Sequence, residues 1–177
     1  MASQPCIAYF WPMGGTDASI FRGFECGGEQ LDLLPEKAIW LPAHQALLIA
    51  DLHLGKVAHF RKNGLAVPAA ADAGNIPLLS SLIARFPVQR LLFLGDLFHS
   101  VHNPEWDLFG EWVARQTCSV TLIEGNHDIL PREHYHTLGI ELLPRLEINR
   151  LLLTHEPLDT VPPGRVNVFG HLHPGVR

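Results

Sequence analysis

Leu91-Leu92-Phe93-Leu94-Gly95-Asp96 decides how this chain is read: a short, unbroken apolar run that stops on a glycine and a lone carboxylate. An apolar run of this length without alternation fits a strand covered on both faces. The same unit recurs on either side. Upstream, Ala46 to Ala50 runs into Asp51-Leu52-His53. Downstream, Val120 to Ile123 leads through Glu124-Gly125 into Asn126-His127-Asp128, Leu151 to Leu153 into Thr154-His155, and Val166 to Phe169 into Gly170-His171-Leu172-His173. Five strand ends therefore carry five small clusters of polar, metal-competent residues at one edge of a sheet, and open α/β sheets bind their ligands beyond the carboxyl ends of the strands.

The stretches between these units read as helices and turns. Ile76, Leu79, Leu82, Ile83 and Phe86 share one helical face behind Asn75 as N-cap, Trp106, Phe109 and Val113 mark a second helix after Pro104, and Arg132 to Leu138 a short third. Leu31 to Leu34 and Ala38 to Leu41 flank Pro35-Glu36-Lys37 as a hairpin at an edge of the sheet, and Glu147 to Leu153 turns at Asn149-Arg150 as another. Strands alternating with helices predict a layered α/β domain, taken as residues 24–177. Residues 1–23 show neither period and are rich in turn formers, which predicts an irregular N-terminal extension.

A chain of 177 residues buries enough surface to fold as one domain without a disulfide or a structural metal. Cys6, Cys26 and Cys118 are odd in number, far apart and without a C-x-x-C pair, which argues against a disulfide framework and a thiolate zinc site and fits a reducing compartment. The first charged residue is Asp17, and Pro5, Pro12, Gly14 and Gly15 break the stretch before it, so no export signal is read. No window reaches the roughly 18 apolar residues of a membrane span. A soluble, cytoplasmic protein with no membrane partner is expected. Thirteen Lys and Arg against eighteen Asp and Glu leave a formal charge of −5, the opposite of a surface that holds nucleic acid by itself. An anionic ligand must be attracted locally.

Singly, each cluster has a bland reading. An Asp-x-His or Gly-Asp after a strand is commonly a turn, Gly-Asn-His-Asp is good turn chemistry, and a lone His155 is commonly a core or surface histidine. Their joint occurrence is the signal. Asp51, His53, Asp96, Asn126, His155, His171 and His173 offer two carboxylates, an amide oxygen and four imidazoles, more than one ion needs. Divided between two ions with one carboxylate shared, seven ligands give four to each, the arrangement of a two-metal centre for displacement at phosphorus. Asp96, the lone carboxylate of its strand end, is the expected bridge. Nitrogen and oxygen ligands without thiolate suit manganese, iron or zinc. Two such ions against two carboxylates leave the site net positive, and they lower the pKa of a bound water to roughly 7 in favourable zinc sites, so that hydroxide becomes the nucleophile. His127, beside Asn126 and not needed as a ligand, is placed to protonate the leaving oxygen or bind a phosphate oxygen, with Asp128 to orient it.

Asp51-Leu52-His53, Gly95-Asp96, Gly125-Asn126-His127-Asp128, His155 and Gly170-His171-Leu172-His173, in that order, resemble the five motifs of the calcineurin-like metallophosphoesterases. The resemblance implies a two-sheet sandwich flanked by helices. It implies one metal on Asp51, His53, Asp96 and His173, a second on Asp96, Asn126, His155 and His171, and His127 as the catalytic histidine. Ala50 to Lys56, Phe60-Arg61-Lys62-Asn63-Gly64, Gly95 to Ser100 with Asn103 and Glu105-Trp106, and the Leu33 to Ala38 hairpin resemble more closely the bacterial ligase-associated DNA-damage-response endonucleases. That family is associated with a DNA ligase and a helicase. It implies a phosphodiesterase acting on DNA, with manganese as the expected metal and iron or zinc as alternatives. Lys56, Arg61 and Lys62 then form a candidate strip for the nucleic-acid backbone, whose contacts need no sequence specificity.

Two departures from the pattern stand out. Many metallophosphoesterases carry, three residues after the bridging Asp, an Asp that holds the catalytic histidine; here the position is His99, a candidate phosphate ligand. Relatives also continue for tens of residues past the last motif, which predicts a sandwich short of its C-terminal strands. The motifs do not separate a nuclease from a phosphoesterase for a nucleotide or a lipid-linked diphosphate. A metal-free interaction module on the same fold would be expected to have lost ligand positions, and all seven are present.

Overall fold

The computed structural model describes residues 22–56, 64, 74–99 and 104–172. Seven strands lie side by side in chain order: β1 (Arg22–Cys26), β2 (Glu29–Leu34), β3 (Ala38–Leu41), β4 (Ala46–Ile49), β5 (Arg90–Leu94), β6 (Ser119–Ile123) and β7 (Ile140–Leu143). Pairing is antiparallel from β1 to β4 and parallel from β4 to β7. A smaller sheet has the order β10 (Val166–Phe169), β9 (Leu151–Thr154), β8 (Leu146–Ile148), with β9 parallel to β10 and antiparallel to β8. Three α-helices lie wholly within the described residues, α1 (Asn75–Arg85), α2 (Pro104–Val113) and α3 (Arg132–Thr137), beside a 3-10 turn at Pro42–His44.

Burial on both faces explains the apolar runs. Side chains alternate across a strand, so Trp40, Leu47, Ile49, Leu91, Phe93, Val120 and Leu122 face the helical layer, where they pack with Leu79 and Leu82 of α1 and Trp106, Phe109 and Trp112 of α2. Their neighbours Ile39, Leu41, Ala46, Leu48, Leu92, Leu94 and Ile123 face the other way, onto Ile148, Leu151 and Leu153 of the smaller sheet. The layers are helices, large sheet and small sheet.

The fold follows the expected α/β class and differs from the sequence reading in particulars. Arg22 and Gly23 belong to β1, which pairs with β2 and occupies the edge of the sheet, so the β2–β3 hairpin lies inside it. Residues 1–21 lie outside the described residues. Asn75 is the first residue of α1 rather than its cap; Gly74 holds the cap position, without a side-chain hydrogen bond. At the other end Phe86 turns extended, as a residue before proline must. The five cluster-bearing strand ends belong to two sheets, β4, β5 and β6 to the larger and β9 and β10 to the smaller.

Polar contacts tie the layers. The Glu29 carboxylate accepts from Asn149 Nδ2 at the β8–β9 turn and meets His44 Nε2 at 2.9 Å, joining the two sheets. The Asn149 hydrogen bond holds the Glu29 carboxyl below its ordinary value, with His44 adding to the effect against the opposing pull of burial. Arg85 grips Glu36 with two bonds of 2.7 and 3.0 Å, pinning the end of α1 to the β2–β3 turn. No described helix is long and apolar enough to cross a membrane.

Candidate metal centre

The loops that follow β4 and β5 continue the parallel pairing beyond the sheet. The Asp51 N–H donates to the Gly95 carbonyl (3.2 Å), the His53 N–H to the Asp96 carbonyl (2.9 Å), the Leu54 N–H to the Leu97 carbonyl (2.8 Å) and the His99 N–H to the Leu54 carbonyl (3.0 Å). Phe98 anchors this zipper by packing on Trp106, ring centroids 4.3 Å apart, and on Phe109. From the smaller sheet, the His171 N–H donates to both Asp51 carboxylate oxygens, at 3.1 and 2.9 Å, and the Gly170 N–H to the His155 carbonyl. Main-chain bonds thus bring the ends of strands from both sheets to one place.

Asp96 sits at the centre, only 2% exposed. One group of donor atoms is Asp51, His53 and Asp96, and another Asp96, His155 and His171; within each, one ligand atom per residue lies within 4.8 Å of the rest. Asp96 belongs to both. His155 Nε2 lies 3.4 Å from Asp96 Oδ1, 2.9 Å from Asn126 Oδ1 and 3.2 Å from His171 Nδ1. Across the centre, His53 Nε2 is 3.8 Å from Asp96 Oδ2.

The proton on His155 shows what such a centre suits. Its Nδ1 lies 2.9 Å from the Leu94 carbonyl, an acceptor only, so Nδ1 is a donor and Nε2 is the nitrogen that faces inward. That nitrogen meets a carboxylate oxygen, an amide oxygen and a second imidazole nitrogen, so four potential ligand atoms converge on one point. An imidazole fixed through its far nitrogen by a carbonyl is also the usual support of a metal-binding histidine. The donor set fits divalent metal.

Backbone strain is concentrated here. Seven described non-glycine residues have positive φ; Lys37, Gln45 and Asn149 are at or next to turns, and the other four are Asp51 (52°), His53 (48°), Asp96 (51°) and His171 (63°). Such conformations cluster at functional sites, where surrounding structure must hold them. Two glycines make room. A Cβ on Gly95 would fall 2.1 Å from His155 Nδ1, and one on Gly125 would fall 2.3 Å from the Asp96 nitrogen and 2.4 Å from its Oδ1.

His127 and His99 stand beside the centre. Their rings stack with centroids 5.2 Å apart and an interplanar angle of 21°, and each meets the His53 ring edge-on, at 5.3 and 5.4 Å. The His127 N–H donates to Asp96 Oδ1 at 2.9 Å. Asp128 directs its carboxylate to the main chain: Oδ1 accepts from the N–H of Leu97 (3.1 Å) and Phe98 (3.3 Å), and Oδ2 from Gly125 (3.0 Å). Burial pushes its carboxyl up to about 6, the amide bonds from Gly125 and Phe98 working against that rise.

Of the residues singled out in the sequence, the structure brings together Asp51, His53, Asp96, Asn126, His155 and His171, with His99, His127 and Asp128 around them. Lys56 is half-buried, its N–H bonded to the His53 carbonyl. His173, Arg61 and Lys62 lie outside the described residues. Sequence reasoning missed the support of Gly125, the Leu94 carbonyl, and the 2.6 Å ion pair between Glu124 and Arg132, which closes the loop that carries Asn126 and His127.

The family model for the calcineurin-like phosphoesterases matches residues 44–174. The crystal structure of the nuclease MPE of Pseudomonas putida is similar, with a TM-score of 0.73 and 29% identity over 87% of this chain and 74% of that one. No curated protein matches.

Proposed function

The chain belongs to the calcineurin-like phosphoesterase family, metal-dependent hydrolases of phosphate esters, and on that premise we propose that it is a nuclease cleaving phosphodiester bonds in DNA. The observation that carries the reading is the pair of donor groups sharing Asp96. In this reading Asp51, His53 and Asp96 hold one divalent ion together with His173, and Asp96, Asn126, His155 and His171 hold the second. Manganese is the expected metal. Two bound ions supply positive charge for the phosphate oxygens and bring the pKa of water toward neutrality.

The protein's own side chains do the rest. Asp96 keeps both donor groups in register, and the Leu94 carbonyl keeps His155 Nε2 turned inward. His127 hands a proton to the leaving oxygen, its main chain fastened to Asp96. His99, stacked on it, contacts the phosphate. Lys56 and Arg61 are the proposed contacts to the nucleic-acid backbone. A similar structure is that of a nuclease. The resemblance to ligase-associated repair endonucleases extends the reading to DNA repair in the cytoplasm, alongside a ligase and a helicase.

The test is manganese-dependent cleavage of labelled single-stranded, duplex and gapped DNA beside a small chromogenic phosphodiester, with Asp96→Asn as control. DNA cleavage that disappears in the variant is expected. Hydrolysis of the small diester alone would move the substrate to a small molecule, and full activity of Asp96→Asn would overturn the mechanism.

A further inference from the structure

The loops bearing the donor groups hold each other through two carboxylates. The Asp96 carboxylate accepts the His127 N–H of the β6 loop at 2.9 Å. In return the Asp128 carboxylate of the β6 loop accepts the N–H groups of Leu97 and Phe98, the two residues directly after Asp96, at 3.1 and 3.3 Å. Its second oxygen takes the Gly125 N–H of its own loop at 3.0 Å. Both oxygens are thus committed to the main chain, and among the described residues no imidazole nitrogen pairs with either. A side chain that oriented the His127 ring would need an oxygen on one of that ring's nitrogens.

We infer that Asp128 is a positioning residue for the metal centre, bracing the Asp96 loop against the Asn126–His127 loop through main-chain amides rather than acting on the His127 ring. The inference rests on the metal-centre reading given above. Its physical need is the strained backbone of Asp96, at φ 51°, which persists only if neighbouring bonds over-determine it. Leu97 and Phe98 leave that strained residue with their amides captured by a charge, the stronger kind of hydrogen bond. The hold extends to a third loop, because Leu54, next to His53, is bonded to the Leu97 carbonyl and the His99 N–H. Among the described residues Asp128 therefore makes no hydrogen bond to a candidate ligand side chain, yet its bonds fix the main chain on which Asp96 and Asn126 stand.

The test measures manganese binding by calorimetry in the wild type, Asp128→Ala and Asp128→Asn, and turnover of two phosphodiesters, one with a good and one with a poor leaving group. Loss of a group that supports metal ligands weakens affinity roughly 10- to 100-fold. That is the loss expected for Asp128→Ala, with turnover of both esters falling by the same factor and partly restored by excess manganese. Asp128→Asn keeps an oxygen for Leu97 and Phe98 but turns an N–H onto the Gly125 N–H. It should fold and fall between the other two. Wild-type affinity in both variants, or a loss confined to the ester with the poor leaving group, would overturn the inference and return Asp128 to the His127 ring. A wild type that binds no manganese would instead refute the metal centre itself, and this proposal with it.

Discussion

Replacing Gly125 by alanine adds one methyl group and should cost about a hundredfold in kcat/KM. The Cβ would lie 2.3 Å from the Asp96 nitrogen and 2.4 Å from Asp96 Oδ1, where ordinary contact begins at 3.4 Å, so about 1 Å must be found. Gly125 is not among the positive-φ glycines, so alanine suits its backbone and crowding is the whole effect. The Asp96 main chain cannot yield freely, since its carbonyl holds the His53 N–H at 2.9 Å and its carboxylate the His127 N–H at 2.9 Å. Either the shared carboxylate or the loop bearing Asn126 moves. A misplacement of about 1 Å in a reacting constellation costs roughly 10²-fold, near 2.7 kcal/mol of transition-state stabilisation, and overpacking costs roughly 1–3 kcal/mol of stability. The assay is kcat/KM on a chromogenic phosphodiester across a manganese titration, with melting curves alongside. Gly139→Ala is the control: its φ of 76° strains an alanine, but nothing lies within 4 Å of the added carbon. It should lose about 1 kcal/mol of stability and no activity. A Gly125→Ala enzyme within twofold of the wild type at every manganese concentration would refute the claim that close approach to Asp96 organises the centre.

Three further outcomes follow from the same contacts. His127→Ala should slow a phosphodiester with a poor leaving group by roughly 10²- to 10⁴-fold and one with a good leaving group far less; equal losses on both would remove the proton-donor role. Chelation should abolish hydrolysis, and restoring manganese at about 100 times its Kd adds roughly 2.7 kcal/mol per site, a rise of some 5–10 °C in Tm for a chain of this size, to be read by calorimetry. Glu29, whose pKa is lowered in the fold chiefly by Asn149, contributes stability that is present above its unfolded pKa and lost as the pH falls through the folded value. The Tm gap between wild type and Glu29→Gln should therefore be open at pH 6 and begin to narrow as the pH falls below about 4; a gap that widens in acid would contradict the assigned shift.

The sequence discloses what residue type encodes. Strands β4, β5, β6 and β9 are legible because both of their faces are covered, β10 because its half-buried valines pack on the smaller core, and the donor residues because carboxylate and imidazole announce themselves. Polar or one-sided edge strands are harder. β1 reads Arg-Gly-Phe-Glu-Cys, with Cys26 buried and Gly23 and Glu25 exposed, which resembles a turn-rich tail, and β7 is four residues long with Glu141 exposed between Ile140 and Leu142. Missing β1 is also what placed the β2–β3 hairpin at the edge. The division into two sheets is implied by the family resemblance and is what the structure has, but the residue pattern alone does not encode it: a parallel pair such as β9 and β10 has the same apolar period in whichever sheet it stands. Main-chain partners are the least legible of all. Nothing about Leu94 says that its carbonyl will orient the His155 ring, and nothing about Leu97 or Phe98 says that their amides will occupy Asp128.

The strain at Asp51, His53, Asp96 and His171 connects stability to function. Each left-handed non-glycine residue costs of order 1–2 kcal/mol, so the four together oppose folding by several. None of this is needed to close the sheets, whose cores lie on either side of β3 to β6 and take from these loops only apolar side chains, Leu54, Leu97 and Phe98 among them. The loops hold because amides from Leu97, Phe98, His127 and His171 are drawn onto carboxylates, and each of those bonds is one-sided without a cation to balance the gathered charge. Removing metal should therefore loosen these loops first and leave the sheets intact, a sub-global opening of the kind hydrogen exchange resolves. The amides of Leu97 and His171 should then exchange faster after chelation while those of Leu92 and Leu122 keep their protection. Uniform loss of protection across both sets would mean that the strain is carried by the whole fold, and the centre would no longer be the place where metal binding and stability meet.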